Sequence, residues 1–93
     1  MSFKLDLHVH THSFARAMMT PDQLRGALRA RGLDGIAVTN FFNIGHARWL
    51  REQLPEFVIL VGQEIWTREG HLIGLGLERA VANFQPAVDT VRR

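Results

Sequence analysis

Gly32-Leu33-Asp34-Gly35-Ile36-Ala37-Val38-Thr39, residues 32–39, is the stretch that decides the fold. Gly32 suits the left-handed residue that ends a helix, with Leu33 packing back over the cap. Ile36 to Thr39 is then a short, nearly continuous apolar run, as expected of a parallel strand covered on both faces. Upstream, Thr20-Pro21-Asp22-Gln23 reads as a helix start, with Thr20 as N-cap, Pro21 at the first helical position and Gln23 closing a capping box. Leu24, Ala27 and Leu28 fall on one stripe of that helix, while Arg25, Arg29 and Arg31 face water. Further upstream, Leu5 to Val9 alternates with the period of a strand. The alternation predicts that Leu5, Leu7 and Val9 enter a core while Asp6, His8 and His10 share the other face.

Downstream, Asn40 to Gly45 forms a loop and a second helix runs from about Ile44 to Gln53, with Ile44, Ala47, Leu50 and Leu54 on one side and Pro55 stopping it. Phe57 to Val61 is the strongest strand, ending at Gly62. Ile65 and Trp66 either continue it or begin a fourth strand. Arg68-Glu69-Gly70 reads as a turn, His71 to Leu77 as a further apolar strand, and Pro86 to Arg93 as a short helix. This alternation predicts an α/β fold with three to four mostly parallel strands and helices, in a single domain over residues 1–93.

Composition narrows the function classes. The chain has 93 residues, 46% hydrophobic and 22% charged, with a formal net charge of +2 and no cysteine. Those values fit a folded chain with one modest core. The basic excess comes from arginines scattered along the chain and not gathered in a block, which gives little support to nucleic-acid binding. Without thiols, any metal site must use nitrogen and oxygen ligands. No signal-like or membrane-spanning run interrupts the pattern, so a cytoplasmic location without membrane association is expected.

The polar residues gather at strand ends. His8 and His10 lie toward the end of the first strand, Asn40 follows the second and Glu64 follows the third, all approaching the edge where α/β folds place their sites. Two imidazoles at i and i+2 can reach one ion if a carboxylate completes the set. A half-exposed strand with its polar side in water fits the same period, and Glu64 also fits a capped turn. His71 fits a histidine at the edge of the core as well as a metal contact. His12 and His46 read as loop residues, and Trp49, Phe41, Phe42 and Trp66 as core or interface. Arg16, Arg48 and Arg68 suit a phosphate, though solubility explains them equally.

Asp6-Leu7-His8-Val9-His10-Thr11-His12-Ser13, Gly32 to Thr39, Gly62-Gln63-Glu64-Ile65 and Gly70-His71-Leu72-Ile73-Gly74 together resemble the N-terminal part of the polymerase and histidinol phosphatase (PHP) domain, over about Leu5 to Leu77. One residue, not the family's two, separates Thr11 from Ser13. The resemblance implies part of a PHP-type β/α barrel that holds divalent metal (zinc, manganese or iron) at one face and hydrolyses phosphoesters. Carried over by position, His8 and His10 would ligate metal, Glu64 would bridge metals at the catalytic centre, and His71 would add a ligand or a near contact. The family's second motif, Thr-Asp-His-Asn, reads here Thr39-Asn40-Phe41-Phe42, so a carboxylate has become an amide and an imidazole a phenyl ring. The acidic residue expected after the first motif has no counterpart among Phe14-Ala15-Arg16-Ala17, and the family's later histidine and Asp-x-His pair lie beyond this sequence.

Two function classes follow. In the first, the chain is a PHP-type metal-dependent phosphoesterase acting on a phosphorylated small molecule or nucleotide once its site is complete. In the second, it is a degenerate or truncated module with a binding or assembly role. Asp6 is expected to orient an imidazole from behind the ligands. An open sheet of three or four units predicts either a homo-oligomer or a partner supplying the missing half, with contacts through residues 71–77, Trp66 and residues 81–91.

Overall fold

The first helix, α1 (Pro21–Ala30), begins as its capping box predicts: Gln23 N donates to Thr20 Oγ1 at 3.1 Å and Thr20 N donates to Gln23 Oε1 at 3.0 Å. It ends at Gly32, whose φ of 64° only glycine adopts without strain. The structure, a computed structural model, describes residues 3–11 and 19–91. Over those residues the order is β1 (Leu5–Val9), α1, β2 (Gly35–Val38), α2 (Gly45–Gln53), β3 (Val58–Thr67), β4 (Gly70–Leu75) and α3 (Ala87–Val91). One curled four-stranded sheet carries them in the order β1-β2-β3-β4. The first three strands run parallel, and β4 returns antiparallel to β3 as a hairpin.

One face of the sheet holds the core. Ile36 and Val38 lie opposite Ile59 and Val61 in register, and Leu24 and Leu28 of α1 pack on them with Ala47 and Leu50 of α2. Both helices therefore cover the same face. The opposite face of β2 is also closed, since every residue from Gly35 to Val38 is buried. A Cβ at Gly35 would collide with the carbonyl of Val58, so the close approach of β2 to β3 requires glycine there.

Two sequence expectations need correction. The alternation in β1 does not run through, because Asp6 pairs with Ile36 while Val9 pairs with Val38: three steps on β1 match two on β2. That bulge re-aims the side chains. Asp6 now shares a cavity of about 190 Å³ with Val9, Leu24, Leu28 and Ile36 on the helix side, and Leu5 and Leu7 stay exposed at 38% and 50% instead of entering the core. Second, of the two courses open to Ile65 and Trp66 the structure takes the first: the strand runs on through Gly62 to Thr67, so that Glu64 lies within β3 and not after it.

The length of β3 has a consequence for the tail. Beyond β2, its free edge is taken up by residues 83–85: Trp66 N donates to Asn83 Oδ1 at 2.9 Å, Phe84 N to Trp66 O at 2.6 Å and Arg68 N to Gln85 O at 3.0 Å. Gln63, fully buried, holds the same tail by both ends of its amide, accepting from Val81 N at 2.9 Å and donating to Val81 O at 3.0 Å.

Candidate metal centre

β2 ends before β3 does, and the site sits in the step between them. Glu64 N donates to Asn40 O at 3.1 Å, which sets the carboxylate level with the residues leaving β2. On the neighbouring strand, the β1 bulge turns His8 and then His10 toward it. His8 Nε2 lies 2.7 Å from Glu64 Oε1, and His10 Nε2 lies 3.8 Å from Glu64 Oε2. From the hairpin, His71 Nδ1 approaches Glu64 Oε2 at 3.5 Å, because His71 pairs with Trp66, two residues along β3 from Glu64. The structure thus brings together all four residues expected at the site.

The donor set fits a single ion. One ligand atom each from His8, His10 and Glu64 all lie within 4.8 Å of one another. Ligands about 2.0 to 2.1 Å from a tetrahedral centre stand roughly 3.3 Å apart, and His8 and His10 approach different oxygens of Glu64, at 2.7 and 3.8 Å, so a modest adjustment would bring one oxygen to both. His10 Nε2 is buried and has no hydrogen-bond partner among the described residues. A polar atom left in that state is costly unless something else binds it. Burial holds the His10 pKa below the ordinary 6.5, against the raising influence of Glu64 and with a further lowering from His8. Its lone pair is therefore available near neutral pH, as a metal ligand requires.

Glu64 is only 7% exposed, while the His8 side chain is half open to solvent. A ligand would approach over His8. The far wall is aromatic. Phe41 meets the His10 ring edge-on at 4.5 Å and Trp66 at 5.2 Å, and Trp66 stacks on His71 with ring centroids 5.5 Å apart and planes within 6°. Phe42 takes a left-handed φ of 67° and faces Trp66 at 5.2 Å. Phe41 and Trp66, read from sequence as core or interface, thus form a wall of this site.

Several expectations fall elsewhere. The Asp6 carboxylate accepts from the backbone N–H of His8, two residues on, at 3.1 Å, and not from an imidazole among the described residues, because the bulge points it toward α1. His46, expected in a loop, is a buried residue of α2. Its Nδ1 lies 2.8 Å from Thr11 Oγ1. Asn40, also buried, accepts from Thr11 N at 2.8 Å and donates from Nδ2 to Thr11 Oγ1 at 2.9 Å. This Thr11–Asn40–His46 network was not foreseen, and the helical spacing of His46 from Ala47 and Leu50 is the signal that could have placed it on the buried stripe. Arg48 is exposed on α2 and Arg68 in the β3–β4 turn, whereas His12 and Arg16 lie outside the described residues. No protein-family model, curated protein or solved structure matches the chain.

Proposed function

We propose that this chain is a PHP-type metal-dependent phosphoesterase domain in which His8, His10 and Glu64 hold one divalent ion, with His71 beside them. The observation that carries the reading is the buried His10 Nε2, without a hydrogen-bond partner among the described residues, facing a buried carboxylate at 3.8 Å. Nitrogen and carboxylate donors suit zinc, manganese or iron. When bound, such an ion supplies a Lewis acid for a phosphoryl oxygen and lowers the pKa of a water toward about 7. The protein's own residues do the rest. Glu64 presents its two oxygens to different partners, Oε1 to His8 and Oε2 toward His71. His8 and His71, both about half exposed, flank the open side where a phosphate would enter.

The second reading, a degenerate module that binds without hydrolysing, is favoured by Phe41. Its ring packs against His10 where the PHP motif has a ligand imidazole, so hydrocarbon fills a flank that a second ion would need. Hydrolysis of an aryl phosphate with added manganese or zinc separates the two. Turnover by the unaltered chain that disappears in Glu64→Gln supports the phosphoesterase. Metal binding with no turnover leaves the binding module.

A further inference from the structure

We infer that Asn40 is a positioning residue for the metal ligand His10, acting through Thr11 and anchored by His46, and that the amide at position 40 is required there and is not a decayed carboxylate ligand. This rests on the His8–His10–Glu64 centre proposed above.

A backbone N–H can only donate, so the contact from Thr11 N at 2.8 Å fixes Oδ1 of Asn40 on that side and leaves Nδ2 facing Thr11 Oγ1 at 2.9 Å. Both ends of the amide thus meet one residue, Thr11, which follows His10 directly. The Thr11 hydroxyl, which accepts from Nδ2, also meets His46 Nδ1 at 2.8 Å, in a bond whose direction follows the His46 tautomer. The chain leaving β1 is thereby tied to the end of β2 and to the first turn of α2. Thr39 N adds a bond to Val9 O at 2.8 Å on the other side of His10. The backbone that carries His10 is held on both flanks, and its ring is aimed at Glu64.

A carboxylate at position 40 could accept from Thr11 N, but it cannot donate to Thr11 Oγ1. The hydroxyl proton would turn toward the carboxylate, the bond from Nδ2 would be lost, and a charge would be placed where the native side chain is only 2% exposed. Asn40→Asp, which resemblance alone would offer as a repair, should therefore loosen the site. Outer partners that orient ligands are typically worth about 10- to 100-fold in metal affinity.

The test uses zinc titrations together with the imidazole NMR signals of His10 in the metal-free protein, where the edge contact with Phe41 gives His10 a distinctive ring-current shift. The expected result is that Asn40→Asp and Thr11→Val each weaken zinc binding by about 10- to 100-fold and move the metal-free His10 signals, while Thr11→Ser, which keeps the hydroxyl, restores both. Should Asn40→Asp fail to fold, the Thr11→Val and Thr11→Ser pair carries the same comparison. Should the unaltered chain bind no zinc, the metal reading fails, and the metal-free His10 signals alone decide the positioning role. Asn40→Asp or Thr11→Val leaving the His10 signals and any zinc affinity unchanged would overturn the inference.

Discussion

Two polar clusters sit within one residue of each other along the chain, and they differ in how closely their members are bonded to one another. At Thr11, Asn40 and His46 the side chains are buried and interlocked by contacts of 2.8 to 2.9 Å. At His8, His10 and Glu64 only one contact is that short, and His8 is half open to solvent. The first cluster ties the chain leaving β1 to the end of β2 and to α2. The second gathers two imidazoles about one carboxylate at the edge of the sheet, the arrangement on which the proposed ligand-binding centre rests.

If that contrast is right, the two clusters respond differently to loss of one member in the metal-free protein. Thr11→Val keeps the volume but strips the hydroxyl from Asn40 Nδ2 and His46 Nδ1, and should cost about 1 to 3 kcal/mol by urea denaturation. Glu64→Gln should cost less than about 0.5 kcal/mol, or even stabilise, because it removes a carboxylate whose burial is weakly compensated. Comparable losses in both would erase the distinction.

A smaller effect sharpens the boundary between them. Phe41→His places an imidazole against the His10 ring, at the flank where hydrocarbon now stands. Zinc affinity measured by calorimetry should rise about tenfold, or about 1.4 kcal/mol, whereas Asn40→Asp alone should lower it. A gain from Asn40→Asp and none from Phe41→His would reverse the roles assigned to these neighbours.

The smallest effect is on pH dependence. Burial holds His10 below its ordinary 6.5, so the unfolded chain takes up the proton first on acidification. Stability contributed by His10 is full above about 6.5 and declines as pH falls from there toward the lowered folded value. Comparing denaturation at neutral and mildly acidic pH for the native chain and His10→Ala should show this slope in the former only.

Much of this was legible in the sequence, and for identifiable reasons. The capping box at Thr20 and Gln23, the glycine stop at Gly32 and the doubly covered strand at Ile36 to Val38 are local signals that tertiary packing did not override. Glu64, His8, His10 and His71 were expected together, and they are. What escaped was register. A bulge adds one residue without any mark in the pattern, so Asp6, Leu5 and Leu7 face the wrong way in a simple alternation. The extent of β3 was left open, because Gly62 looked like an end while Ile65 and Trp66 could continue the strand; Gly62 lies within it, opposite Leu75 of β4. Asn40 looked like a lost ligand because its bonds run to Thr11, 29 residues away in sequence.

The most direct test of the central claim is metal content after equilibrium dialysis against zinc or manganese, followed by chelator-free buffer. The account predicts one ion retained per native chain, with none retained by Glu64→Gln or by the His8→Ala, His10→Ala double variant. Equal metal content in all three proteins would contradict it.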